Sequence, residues 1–254
     1  MAEAETETGV ELFNRVIGIA MGVPGITVDR AAFLRREFSV YCRPEQLDLI
    51  VRDNPVRHLS MDLIDRVAKD VIQAERYKVT AISAATGLPS NPAAAAGLAV
   101  ADMGQYSAIC LRACQELAYL YGMPDLLDEH GEVSSATINL LTPLLGIMFG
   151  VQEAVKVTAK LCEKIAEQVV RRLPAVAFGH AGWYVLVKQI AKIIGVRMSK
   201  QLFSKGLSKV IPLIGAAISG AMTYAAFGSS AESLRKHLEE NSRFFRGEGY
   251  MEKA

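Results

Sequence analysis

Residues 101–122 read ADMGQYSAICLRACQELAYLYG, and this stretch indicates the fold class. It belongs to a predicted helix from about residue 93 to residue 121, which Gly122 and Pro124 end. Apolar residues have helical spacing in almost every other segment, and no run alternates polar and apolar residues over a convincing length. We therefore predict an all-α fold: a compact multi-helix bundle whose apolar C-terminal helix is rich in small residues.

Capping residues and turns predict where the other helices begin and end. Asp29 and Ser60 occupy positions where N-caps are expected. The sequence GLPSNP at 87–92 predicts a turn, and Pro143 predicts a kink within a helix. In the last third of the chain we predict four separate helices, over 183–194, 197–207, 214–227 and 231–245.

Length and composition predict one domain inside the cell. The chain has 254 residues, of which 51% are hydrophobic, so it can bury a sizeable core and is not a disordered protein. We predict a single helical domain over 10–245, a disordered acidic tail over 1–9 and a flexible tail over 246–254. The acidic N-terminus is unlike a secretory signal, and four cysteines without a paired framework suit a reducing compartment.

Charge is distributed unevenly along the chain. The net charge is only +1, yet residues 168–231 contain eight basic residues and no acidic one. Such a stretch is expected to bind phosphate head groups or another anionic surface, or to lie against the acidic first part of the same chain. Nucleic acid is not the expected partner, because the sequence has no helix-turn-helix, zinc-finger or aromatic stacking signature.

Part of this basic stretch, 188–209, resembles a membrane-surface helix. Its basic residues recur every three to five positions among apolar ones, with an aromatic pair just before them. The alternative is an ordinary amphipathic helix with a solvated lysine face. The residues that we predict to contact an anionic membrane are Trp183, Lys188, Lys192, Arg197, Lys200, Lys205 and Lys209. A membrane protein is a further candidate partner, and the sequence predicts no particular oligomeric state.

Three windows without formal charges, 79–101, 133–152 and 210–231, have about the length that a bilayer requires. The third reads VIPLIGAAISGAMTYAAFGSSA, in which Gly215, Ser219 and Gly220 have the small-residue spacing that lets another helix approach closely. Its alanines and glycines contribute little transfer energy. Packing in a core, shallow insertion and a true span therefore all stay open for this window.

Sequence motifs for catalysis or metal binding are sparse. The chain contains no GxxxxGK[ST] loop, Rossmann glycine fingerprint, HExxH or GxSxG motif. Cys110 and Cys114 share a helix face, but no other Cys or His has a matching spacing, so buried cysteines are the favoured interpretation. We predict no catalytic residue, no metal site and no cofactor.

One polar group of residues lies within the quoted helix. Asp102 and Arg112 are the only charged residues between Lys78 and Glu116, and isolated charges are costly to bury unless they are paired. We favour a buried network between helices, with a polar site for a small ligand or head group as the alternative. The candidate residues are Asp102, Gln105, Tyr106, Arg112, Gln115 and Tyr119.

The same helix carries a family resemblance. Its motif residues are Asp102-x-x-Gln105-Tyr106 and the run LRACQELAYLYG at 111–122, supported by KVIPLIGA at 209–216 and TY at 223–224. Over roughly residues 29–240 the chain resembles the EcsC family on these motifs. The resemblance implies a bacterial, membrane-associated protein without an established enzymatic activity, and it supplies no catalytic residues.

Together these features favour a non-catalytic scaffold, adaptor or membrane-remodelling protein at the cytoplasmic face of a membrane. Its basic C-terminal half is predicted to bind anionic lipid. Two alternatives remain at this point: an enzyme or small-ligand-binding protein with a polar site around Asp102 and Arg112, and a helical protein that inserts into membranes or forms pores on a trigger.

Overall fold

The structure, a computed structural model, describes the backbone of residues 2–86, 95–128, 130, 134–167, 180–207 and 212–247. These residues form ten α-helices and no strand, which confirms the all-α prediction. The helices are α1 (Ala2–Met21), α2 (Arg30–Phe38), α3 (Pro44–Arg52), α4 (Pro55–His58), α5 (Met61–Thr86), α6 (Ala95–Leu120), α7 (Ser135–Met148), α8 (Gln152–Glu167), α9 (His180–Leu207) and α10 (Pro212–Arg246).

Helix α6 occupies the centre of the bundle. It packs against α1, α2, α5, α7, α9 and α10. From Ser107 to Met123 every residue except Arg112 is buried, because neighbouring helices cover this helix on all sides. The polar residues of the quoted stretch therefore lie inside the protein.

Local capping explains several helix boundaries. The Asp29 carboxylate accepts a hydrogen bond from the Ala32 N–H at 2.8 Å, which confirms the predicted cap of α2. Gly122 ends α6 with a φ of +98°, and a Cβ there would lie 2.9 Å from Val56 Cγ2 and 3.0 Å from Phe245 Cβ. Only glycine therefore satisfies both the backbone conformation and the close approach of α4 and α10.

The C-terminal third differs from the prediction of four helices, which is wrong. Helix α9 continues through Gly195, and α10 continues through Gly228 and the two serines after it. A glycine in a helix costs only about 1 kcal/mol, and packing on neighbouring helices offsets that cost. Gly228 has a packing role as well, since a Cβ there would lie 2.4 Å from Arg76 Nε.

The structure also bears on the predicted N-terminal tail, the predicted kink at Pro143 and the uncharged windows. Helix α1 begins at Ala2, so its backbone includes most of the segment for which we predict an acidic tail. Pro143 lies inside α7, which continues on both sides of it. The turn predicted at 87–92 lies outside the described residues. None of the helices in the described part of the chain combines the length and apolar content needed to cross a bilayer.

Candidate functional site

Arg112 stands between two buried glutamates. Its Nη2 lies 3.0 Å from Glu116 Oε1 on the next turn of α6, and its Nε lies 3.5 Å from Glu75 Oε1 on α5. Its Nη1 donates a hydrogen bond of 2.5 Å to the Gly25 carbonyl, in the loop after α1. Both carboxylates are only 1% exposed. One guanidinium therefore ties two helices and a loop together.

The charges around this pair of glutamates are nearly balanced. Lys78, which is half exposed, binds Glu75 Oε1, and Arg36 Nη2 on α2 lies 4.0 Å from Glu116 Oε1. Among the described residues, Oε2 of each glutamate accepts no hydrogen bond. Burial and the negative charge of Glu75 raise the pKa of the Glu116 carboxyl to about 7. This cluster thus holds a proton near neutral pH.

Gln115 and Tyr119 have structural partners on the same helix. The Gln115 amide accepts a hydrogen bond from the Val28 N–H and donates one to the Ile26 carbonyl, fixing the segment that leads into α2. The Tyr119 hydroxyl accepts a hydrogen bond from the Leu126 N–H at 3.3 Å. Both side chains are fully buried. Gln115 therefore fixes the segment before α2, and Tyr119 fixes the segment after α6.

The remaining motif residues lie further along α6. Tyr106 stacks on Phe149 of α7 with ring centroids 6.2 Å apart and meets the edge of Phe227 of α10 at 6.4 Å. Asp102 and Gln105 are partly exposed. Asp102 is ten positions from Arg112, which is about 15 Å along a helix. The structure therefore does not join the six motif residues into one polar site.

Sequence reasoning missed a second buried ionic cluster. Arg235 of α10 is 5% exposed and contacts Asp65 of α5, Glu232 at 2.8 Å and Glu239 at 2.9 Å. The Tyr121 hydroxyl lies 3.2 Å from Asp65 Oδ1, so this cluster joins α5, the end of α6 and α10. The spacing of Glu232 and Glu239 around Arg235, at three and four positions, is the only signal that the sequence contains.

The cysteines have no chemical function that the structure supports. All four are buried and free of disulfides. Burial raises the pKa of the Cys114 thiol, and it raises the pKa of Cys162 to about 12, so both stay protonated. In the part of the chain that the structure describes, no group of three or more Cys, His, Asp or Glu residues is placed to hold a metal ion.

Helix α9 has one buried and one exposed face. Its buried side chains include Leu186, Ile190 and Ile194, which face α1, α6 and α7. Among the side chains of α9 that the structure describes, at 183–196, the exposed ones are Tyr184, Val185, Lys188, Lys192 and Val196. Positions 184, 188, 192 and 196 are about one turn apart, and Val185 lies beside Tyr184 on the same side of the helix. We call this side the α9 outer face. It contains two cations, one aromatic side chain and two valines, and no acid.

Three further residues that we predict to contact a membrane belong to the same helix, and Lys209 follows it. The side chains of Arg197, Lys200 and Lys205 lie outside the described residues, as does the whole of Lys209. Trp183 is half-buried at the first turn and packs against the core.

The described part of α10 before Phe227 exposes apolar side chains. Ala221, Met222, Ala225 and Ala226 are all exposed, and Met222 is 68% exposed. The predicted packing residues Gly215, Ser219 and Gly220 precede this patch, and their surroundings lie outside the described residues.

The chain matches no protein-family model, and no curated protein or solved structure is significantly similar to it.

Proposed function

We propose that this protein is a non-catalytic helical protein that binds the surface of an anionic membrane through the α9 outer face. The observation that carries this proposal is the composition of that face. Tyr184 and Val185 can enter the interface between head groups and acyl chains while Lys188 and Lys192 remain among the head groups. Each lysine near an anionic leaflet contributes about 1 kcal/mol.

The buried face of the same helix supports this orientation. Leu186, Ile190 and Ile194 fix α9 on the core, so the valines and lysines between them are held outward by the fold. A rigid helix loses little conformational freedom on docking. The exposed alanines and Met222 of α10 provide a second apolar surface for lipid or for a membrane-protein partner.

The two ionic clusters favour a structural role for the polar residues of α6. Arg112 and Arg235 are engaged by carboxylates from two helices each. Neither is a lining residue of the groove between α1, α7 and α9 that is described below. We extend the proposal to membership of the EcsC family and to the cytoplasmic face of a bacterial membrane, on the motif residues of α6 and the basic stretch alone.

Flotation with lipid vesicles tests the proposal. We expect the protein to float with vesicles containing anionic phospholipid and to remain at the bottom of the gradient with zwitterionic vesicles. The variant Lys188→Glu/Lys192→Glu should bind anionic vesicles at least about tenfold more weakly, because it replaces two attractions by two repulsions.

The matched control is Lys160→Glu/Lys164→Glu. These two lysines are equally spaced and exposed on α8, where Glu163 and Glu167 accompany them. The control changes the net charge by the same amount and should keep most of the binding. Equal loss in both variants, or equal flotation with both vesicle types, would contradict the proposal.

A further inference from the structure

A groove with a volume of about 430 Å³ runs between α1, α7 and α9. Its walls are mainly apolar and include Phe13, Ile17 and Met21 of α1, Ile138 of α7, and Trp183 and Val187 of α9. This volume lies toward the lower end of the range of about 300–1,000 Å³ that is usual for small-molecule sites. The groove is therefore large enough for one slender apolar group and small for a two-chain lipid.

Gly18 forms part of the groove wall on α1. A Cβ built at this position would meet nothing within 4 Å, so open space lies directly beside the helix backbone. A glycine inside a helix is unfavourable relative to alanine. At Gly18 no close neighbour requires the glycine, unlike Gly104 on α6, where a Cβ would lie 2.4 Å from Ile19 Cγ2. The missing side chain thus contributes to the room in the groove.

The polar groups of the groove suit an anionic head. Asn14 and Asn139 line it, and their amide groups can donate hydrogen bonds. No acidic residue is among its lining side chains, and Lys188 follows Tyr184 by one turn on α9. Amide donors without a carboxylate among the lining residues favour a carboxylate head group over a cationic one.

The groove is continuous with the α9 outer face. Tyr184 belongs to both, with 44% of its surface exposed and part of it lining the groove beside Trp183. This continuity argues for an occupant supplied by the membrane.

We propose that the groove between α1, α7 and α9 binds the single acyl chain of a long-chain fatty acid, with its carboxylate toward the amides of Asn14 and Asn139. The inference rests on the proposed membrane function for the source of the ligand. No bond is made or broken in this binding step. Affinity should rise about fourfold for each CH₂ added, over the length that the groove encloses.

Trp183 reports occupancy directly, because it is the single tryptophan of the chain and lines the groove. Dibromostearic acid, used below its aggregation concentration and without vesicles, should quench the fluorescence of Trp183 saturably. Unbrominated stearic acid should reverse the quenching by competition. Quenching that never saturates, or that stearic acid does not reverse, would overturn the proposal.

The variant Gly18→Leu tests the location. Its side chain would fill the open space beside α1, so we expect at least tenfold weaker quenching, with a smaller reduction for Gly18→Ala. The control is Ala136→Leu, which adds the same side chain at an exposed position of α7 that does not line the groove. Circular dichroism melts should show that all three variants fold. Unchanged quenching in folded Gly18→Leu would overturn the proposal.

Vesicle flotation separates this inference from the function on which it rests. Gly18→Leu should still float with anionic vesicles, because the α9 outer face is unchanged. A wild-type protein that floats but shows no saturable quenching would contradict the fatty-acid site alone. Saturable quenching without flotation would contradict the membrane function and leave the groove without its proposed source of ligand.

Discussion

Helix α6 is buried on nearly all sides from Ser107 onward, whereas α9 has one face exposed to solvent. Both place a few charged residues among many apolar ones. In α6, Arg112 pairs with the buried Glu116 of the same helix and with the buried Glu75 of α5. In α9, Lys188 and Lys192 face outward on a helix whose opposite side is buried. The contrast teaches that a charged residue can be kept inside the bundle where a neighbouring helix supplies the opposite charge, and that apolar packing on one face of a helix places the charged residues of its other face outward.

The largest effect that we predict is on stability, and it belongs to α6. Arg112→Met should lower the free energy of unfolding by about 3–5 kcal/mol, because it leaves two buried carboxylates without their shared cation. Denaturant unfolding at pH 8 measures the change. The matched substitution on α9, Lys192→Met, should stay within about 0.5 kcal/mol of wild type. Similar losses in both variants would remove the distinction between the two helices.

The second prediction concerns the pH dependence of stability. The pKa of Glu116 is about 7 in the folded protein and about 4.5 in the unfolded chain, so the folded state binds more protons between these values. The stabilisation of the folded state by the protonated Glu116 carboxyl is therefore fully present below pH 4.5 and is lost as the pH rises to 7. The free energy of unfolding should fall by up to about 3 kcal/mol across this window.

The variant Glu116→Gln isolates this contribution. It should flatten the slope of stability against pH between 4.5 and 7. Glu11→Gln, at an exposed position of α1, is the control for the removal of one carboxyl group. Chemical denaturation at a series of pH values provides the measurement. An unaltered slope in Glu116→Gln would show that another group binds the proton.

The smallest predicted effect is on lipid binding by α9. Lys192→Ala should weaken binding to anionic vesicles about fivefold, which corresponds to about 1 kcal/mol, and should leave stability unchanged. Raising the salt concentration should weaken the wild-type interaction in the same direction, because surface charges are screened. Lys160→Ala on α8 is the control. Binding that is insensitive to both Lys192 and salt would place the contact elsewhere.

The fold class could be predicted because helical spacing persists along most of the chain. The N-cap at Asp29 could also be predicted, since its side chain accepts a hydrogen bond from a backbone N–H only three residues later. The continuity of α9 and α10 could not be predicted. The glycines at 195 and 228 favour a helix break locally, but the packing of α9 and α10 on other helices keeps both helices continuous.

The candidate site was only partly predictable for a related reason. Arg112 stood out as an isolated charge, which correctly suggested a buried partner. Its partner Glu75 lies on α5, 37 positions earlier in the chain, and sequence spacing contains no information about that pairing. Asp102 stood out for the same reason and lies elsewhere on α6. The spacing of Lys188 and Lys192 on the α9 outer face could be predicted. The exposure of Val185 and Val196 beside them could not, because it depends on which helices cover the other side of α9.

A fluorophore attached at Lys192→Cys gives the most direct test of the membrane claim. The four native cysteines are buried, so labelling is directed to the introduced thiol. We predict that emission from an environment-sensitive dye at position 192 shifts to the blue with anionic vesicles, and that the same dye at Lys160→Cys does not respond. No shift at position 192, or equal shifts at both positions, would contradict the account.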